Sequence, residues 1–334
     1  MRKRKWWILL PLLLAIGYLL GPRPESSDYT TELPDIPSDT SSLSQYILQK
    51  ESSHKIKPDN EARIVWANDS TKQKTAYSIV YLHGFTASQA EGEPAHRDIA
   101  KKFNCNLYLS RLAEHGIDTT EPLQRLTVET YWQSVKEALV IGKQLGEKVI
   151  LMGTSTGGTL AIKLAAEYKD IYALILLSPN IEIKDGNAWI LNNHWGLQLA
   201  RLILGSQYIE SKDTRPLYKQ YWTSTYRVEA AVALQELIES SMNEETFKKV
   251  KQPVLMLYYY KDEIQQDSTV KVSAMKEMFN ELGTPRDKKL AVAMPNTGSH
   301  VIGSYIKSND VAGVEMQIEN FLKNVLKIPP AESH

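Results

Sequence analysis

One cysteine, Cys105, stands among 334 residues, so no internal disulfide can staple the fold. It lies in Phe103-Asn-Cys-Asn-Leu107, which leads into an apolar strand, and burial is its expected role rather than reactivity. Surplus charge of either sign is missing as well, with 39 basic residues against 39 acidic ones. That balance argues against nucleic-acid binding, which calls for a basic excess. There is no internal repeat, and beyond one N-terminal stretch no long low-complexity tract. What remains is ordinary: 43% hydrophobic and 23% charged residues, enough for a sizeable core. The length suits one large domain, or one domain with an insertion.

A long apolar run is lacking too. The apolar stretch Trp6 to Leu20 falls short of the roughly 20 residues of a full membrane span, though Gly21 and Pro22 can extend it. A basic cluster, Met1-Arg-Lys-Arg-Lys5, precedes it, and Gly21-Pro22-Arg23-Pro24 follows. Charged, then apolar, is the layout of a secretory signal. No cysteine follows that could take a lipid. The expectation is that residues 1–21 form an uncleaved signal anchor, a single transmembrane segment with the basic end in the cytoplasm. The rest would then be extracytoplasmic, periplasmic or extracellular. Release after cleavage near Ala15-Ile16-Gly17 is the alternative. Residues 22–55 read as a flexible tether, since Pro22 to about Thr40 is rich in Pro, Ser, Thr, Asp and Glu, with a short helix within Ser42–Ser53.

The chain is organised around Lys148 to Tyr168. Val149–Met152 is a short apolar run with β-branched residues, the pattern of a buried parallel strand. Thr159–Tyr168 has helical spacing through Leu160, Leu164 and Ala165. Between them Gly153-Thr-Ser-Thr-Gly157 fits G-x-S-x-G in the strand–turn–helix context that this motif requires. A serine at so tight a turn takes strained backbone angles, and side chains two positions to either side would clash. The turn exposes Ser155 Oγ in front of a helix N-terminus, where N–H groups favour developing negative charge.

Around this centre strands and helices alternate. Ala62–Ala67 and Tyr77–Leu82 read as strands joined by a polar hairpin. Asn106–Leu109, Tyr172–Leu177, Val254–Tyr260 and Lys289–Met294 are further strands. Arg97–Phe103, Leu126–Leu145, Val270–Leu282 and Val311–Leu326 are helices. The alternation implies a mostly parallel sheet covered on both faces. Residues 56–180 and 252–328 form this α/β core. Residues 181–251 break the rhythm and read as an inserted helical lid rich in Trp and Tyr, one or two of which face a substrate pocket.

A serine hydroxyl needs a base, usually a histidine oriented by a carboxylate. His300 lies in a loop between the last strand and the last helix, at the sheet edge where Ser155 also emerges. The acid should leave a strand between the two. Asp262 follows the Val254–Tyr260 run most closely and is preferred; Glu263 is adjacent and Asp267 lies five residues on. Two oxyanion donors are expected, the N–H of Thr156 after the nucleophile and the N–H of Phe85 in His83-Gly-Phe-Thr86. His83 reads as a structural hydrogen-bonding residue rather than a base.

Taken together, His83-Gly-Phe-Thr86, Glu114-His-Gly116, Gly153-Thr-Ser-Thr-Gly157, Tyr260-Lys-Asp-Glu-Ile264 and Gly298-Ser-His-Val301 resemble the serine α/β-hydrolases, and within them the monoacylglycerol lipase and carboxylesterase group. The resemblance spans roughly residues 60–328. It implies Ser155 as nucleophile, Asp262 and His300 as its partners, Phe85 and Thr156 as oxyanion donors, and no cofactor or metal. Two departures touch the pocket: Glu114 stands where the group more often has glycine, and Tyr260-Lys261 where a glycine usually precedes the acid. The expected activity is hydrolysis of a small carboxylic ester through an acyl-enzyme, the anchor and aromatic lid favouring an apolar acyl chain as in lipid esters. Peptidase, thioesterase or acyltransferase chemistry on the same triad is the alternative. A non-catalytic hydrolase-like binding module is the reading from a different class.

Overall fold

A computed structural model describes residues 6–24 and 27–331. In chain order its elements are α1 (Trp6–Leu19), α2 (Thr40–Ser52), β1 (Arg63–Val65), β2 (Thr75–Leu82), α3 (Ala95–Lys102), β3 (Asn106–Leu109), α4 (Val128–Leu145), β4 (Gly146–Thr154), α5 (Thr156–Glu167) and β5 (Ala173–Leu177). Then come α6 (Gly196–Leu204), β6 (Tyr208–Glu210), α7 (Pro216–Tyr221), β7 (Thr225–Arg227), α8 (Val228–Ser241), α9 (Glu244–Lys249), β8 (Val254–Tyr258), α10 (Val272–Glu281), β9 (Lys289–Ala293) and α11 (Val311–Asn324).

Seven strands make one sheet in the order β1-β3-β2-β4-β5-β8-β9, parallel except for β1. Strand β4, which delivers Ser155, is central, and β5 and β8 are buried along their whole length. That explains their near-continuous apolar sequence, since neither face meets water. Helix α4 starts at a reciprocal Thr127–Thr130 capping box and turns Tyr131, Trp132, Val135, Ala138 and Leu139 into the core. It shares one face of the sheet with α5; α3 and α11 pack on the other. This is the α/β-hydrolase fold. Between β5 and β8 the inserted segment is helical but also holds an antiparallel ribbon, β6 with β7.

Three expectations change. The β1 and β2 sequences do not form a hairpin: β1 pairs antiparallel with β3, which lies between them. Asn106 helps to set this arrangement, its Oδ1 accepting from the Ala67 N–H and its Nδ2 donating to the Gln73 and Leu145 carbonyls. The transmembrane anchor, and the extracytoplasmic location derived from it, are overturned. Helix α1 has 14 residues with Pro11 inside it, and no helix among the described residues is long and apolar enough to cross a membrane. At about 1.5 Å per residue it reaches only about 21 Å, against about 30 Å of hydrocarbon. The basic cluster at 1–5 lies outside the described residues.

The tether expected over 22–55 is instead packed on the core from Ser27 onward. Lys136, fully buried, donates to the Thr30 and Glu32 carbonyls, and Trp132 Nε1 donates to Thr30 O at 2.8 Å. Ile36, Leu43 and Ile47 join the core, and buried Glu51 pairs with buried Arg111 at 2.7 Å. The polar composition hid this because backbone carbonyls of Thr30 and Glu32 are among the anchoring groups, and composition does not register them. Leu43 is 1% exposed. Leu43→Ala is expected to cost about 2–5 kcal/mol in urea unfolding, the range for a buried leucine; a variant as stable as wild type would contradict the packing described here.

Candidate active site

The turn after β4 shows why the motif is built from glycines. A Cβ at Gly153 would lie 2.4 Å from the Gly157 carbonyl oxygen, and one at Gly157 would lie 1.9 Å from the Leu82 carbonyl oxygen. Neither can be accommodated, so strand, helix and neighbouring strand come into backbone contact. Ser155 sits at the apex with φ 53° and ψ −119°, a conformation that costs a non-glycine residue about 1–3 kcal/mol. The surrounding bonds hold it there: the Ser155 N–H donates to Leu177 O at 2.9 Å, and the Gly158, Thr159 and Asn180 N–H groups donate to Ser155 O.

Ser155 and His300 line the same cleft, about 560 Å³ in volume, between the sheet edge and the inserted segment. Parallel strands account for the meeting, since β4 and β9 end on the same side. The His300 ring is 11% exposed, and its Nε2 is buried with no hydrogen-bond partner among the described residues. Its Nδ1 donates to Asp267 Oδ2 at 2.6 Å. Burial alone would lower the pKa of this imidazole, but the charge and hydrogen bond of Asp267, helped by Glu91, raise it above the usual histidine value. Burial works the other way on Asp267. His300 and the Thr269 and Val270 N–H groups outweigh it and hold the carboxyl below its usual value.

The carboxylate on His300 is therefore Asp267 and not Asp262. Asp262 is exposed, and its Oδ1 accepts from the Ile264 and Gln265 N–H groups. The reason lies in the backbone. Tyr260 bridges Gln266, the Lys261 N–H donates to Gln265 O, and the Asp267 N–H donates to Tyr259 O at 3.1 Å. Residues 260–266 thus fold out as a small closed excursion, and Asp267 returns to the strand end that residue counting assigns to Asp262. Glu263 stays with this excursion, accepting from the Tyr260 hydroxyl.

Phe85 and Thr156 also line the cleft, and neither N–H has a hydrogen-bond partner among the described residues. The other histidines nearby are structural. His83 Nε2 accepts from the Leu112 N–H and its Nδ1 donates to Gly84 O; His115 Nε2 accepts from the Thr86 N–H and its Nδ1 donates to Ala113 O. Burial pulls His83 down to about 4 and His115 well below its usual value, so both stay neutral. From the inserted segment Tyr218, Trp222 and Tyr226 reach the cleft. Tyr218 stacks on Trp222 at 5.0 Å, and Tyr226 meets Phe85 edge-on at 5.1 Å.

Comparison with known proteins agrees with this architecture. A thermostable monoacylglycerol lipase from Bacillus sp. (strain H-257) is 30% identical over 105 residues, covering 31% of this chain; the match spans only 41% of that lipase's length. A metagenome-derived lipolytic enzyme of the LipS and LipT study superposes with a TM-score of 0.64 at 16% identity, over 80% of this chain and 99% of that one. A monoacylglycerol lipase from Paleococcus ferrophilus gives 0.57 at 14% identity, over 78% and 97%. At such identities the structural likeness establishes the fold. The family model described as "Serine aminopeptidase, S33" matches residues 124–297, just over half of the sequence and spanning the Ser155 turn, β5, the inserted segment, β8 and β9. The chain belongs to this S33 family of α/β-hydrolases.

Proposed function

We propose that the protein is a serine hydrolase that cleaves carboxylic esters through an acyl-enzyme. Ser155 Oγ attacks the ester carbonyl carbon. His300 Nε2 takes the hydroxyl proton, and the C–O bond to the alcohol breaks as His300 returns that proton to the departing oxygen. Water, deprotonated by the same nitrogen, then releases the acid and restores Ser155. Asp267 holds the imidazole with Nε2 free and stabilises its protonated form. The Phe85 and Thr156 N–H groups receive the oxyanion, each worth roughly 3 kcal/mol of barrier.

The observation that carries this reading is His300: one ring nitrogen is bonded to a buried carboxylate at 2.6 Å, and the other is unpartnered in the cleft of a strained Ser155. Aromatic rings on the cleft wall favour an apolar acyl group, and the lipase descriptions of the relatives support an ester. A fluorophosphonate probe is expected to add to the full chain once, at Ser155, as read by peptide mass spectrometry. A panel of p-nitrophenyl esters, acyl thioesters and amino-acid p-nitroanilides should show turnover of the esters first. Preferred cleavage of the anilides would replace the ester reading with the peptidase one, and absence of labelling in folded protein would leave a non-catalytic binding module.

A further inference from the structure

Glu91 has no part in the steps above, yet it lines the same cleft and is only 2% exposed. It lies on a short 3-10 turn, Gln89–Gly92, just beyond the loop that carries Phe85. Its Oε2 accepts from the Gly84 N–H, and its Oε1 has no partner among the described residues. A Cβ at Gly84 would lie 2.8 Å from Glu91 Oε1 and 3.0 Å from Ser155 Cβ. Gly84 therefore packs against both this carboxyl and the nucleophile, and a side chain there would press on both.

The backbone groups of Gly84 and Thr86 are all tied. Gly84 O accepts from His83 Nδ1 at 2.9 Å and from the Ala87 N–H at 3.2 Å. The Thr86 N–H donates to His115 Nε2 at 3.0 Å, and Thr86 O accepts from the Thr223 N–H of the inserted segment at 2.7 Å. The Phe85 N–H, between them, has no partner among the described residues. Of the side chains that tie this loop, Glu91 is the only carboxyl.

We propose that Glu91 is a positioning residue: by accepting the Gly84 N–H it fixes the His83–Thr86 loop so that the Phe85 N–H stays the free donor at the cleft. The role rests on the ester-hydrolase reading. It works best with the carboxyl neutral, because a carbonyl oxygen accepts the N–H without placing an anion next to the developing oxyanion. Burial pushes the Glu91 carboxyl up to about 8, against the pull of the Gly84 N–H and of His300. The anion therefore forms as pH rises through about 8, and turnover should fall on that side.

Other ionisable groups face Glu91: Tyr81 from β2, Tyr131 from α4, Tyr218 from α7 and His300 from the loop after β9. Burial raises all three tyrosines, which stay neutral through this range. His300 must be neutral to act as base, so it shapes the acidic limb of the profile, not the alkaline one.

The experiment compares wild type, E91Q and E91L in the full chain, measuring kcat and KM for p-nitrophenyl butyrate from about pH 6 to 10, with circular dichroism as the check on folding. E91L should lose about 10- to 100-fold in kcat at pH 7, the scale of a small misplacement, with KM within about twofold of wild type. E91Q keeps an acceptor for the Gly84 N–H. It should hold kcat within about threefold at pH 7 and lack the wild-type decline above about pH 8. A folded E91L with wild-type kcat, an E91Q as impaired as E91L, or an unchanged alkaline limb in E91Q would each overturn the proposal. If E91L does not fold, the E91Q profile decides. A wild type without any ester turnover sinks the ester reading and this role with it, whereas an active wild type matched by both variants sinks this role alone.

Discussion

Ser155→Ala is expected to lower kcat for p-nitrophenyl butyrate by about 10⁴- to 10⁶-fold while leaving the protein folded. The variant removes only Oγ. The φ of 53° at this position is imposed by backbone contacts around Gly153 and Gly157, not by the hydroxyl, so the turn persists. The residual rate would come from the Phe85 and Thr156 N–H groups acting on bound ester without a nucleophile. Steady-state kinetics checks this, together with active-site titration that should fall from one equivalent to none. Wild-type turnover in the variant would end the acyl-enzyme reading.

The second large effect separates two aspartates five positions apart. Asp267→Asn should reduce kcat by about 10⁴-fold, the loss seen when such a carboxylate becomes an amide and the imidazole is held in the wrong tautomer. Asp262→Asn should stay within about twofold, because that side chain only caps a turn in solvent. The pH profile adds a sign. Asp267 raises the pKa of His300, so removing its charge lets the imidazole lose its proton at lower pH, and the acidic limb of kcat/KM should move downward. Equal damage from the two variants, or greater damage from Asp262→Asn, would place the acid elsewhere.

Much of this was readable from sequence because the determinants are local. The Gly153–Gly157 turn, the apolar runs of β4, β5 and β8, and the helical spacing of α4 are short patterns with one cheap structural solution, and chain order puts Ser155 and His300 at one sheet edge. What escaped is decided by contacts between distant segments. Asp262 and Asp267 both sit in polar loop sequence and both accept N–H groups two and three residues ahead; the bridge from Tyr260 to Gln266 leaves one exposed and brings the other, buried, to His300. Strand β1 takes its partner from β3, some forty residues further on. The segment after Ser27 looks disordered by composition, yet its Thr30 and Glu32 carbonyls meet Lys136, a residue whose burial nothing in its neighbourhood announces. Residues 6–20 are apolar enough to suggest an anchor, but α1 has 14 residues, and no helix among the described residues is long and apolar enough to cross a membrane.

The excursion at residues 260–266 has one more implication. It leaves the end of β8 and is closed at its neck, where the Asp267 N–H donates to Tyr259 O beside the Tyr260–Gln266 bridge. Residues inserted or deleted at its tip change the length of a side branch without translating the trunk. Spacing between strand and acid is therefore a poor ruler for aligning this chain with its relatives; the anchor for alignment is the carboxylate that meets His300, here Asp267.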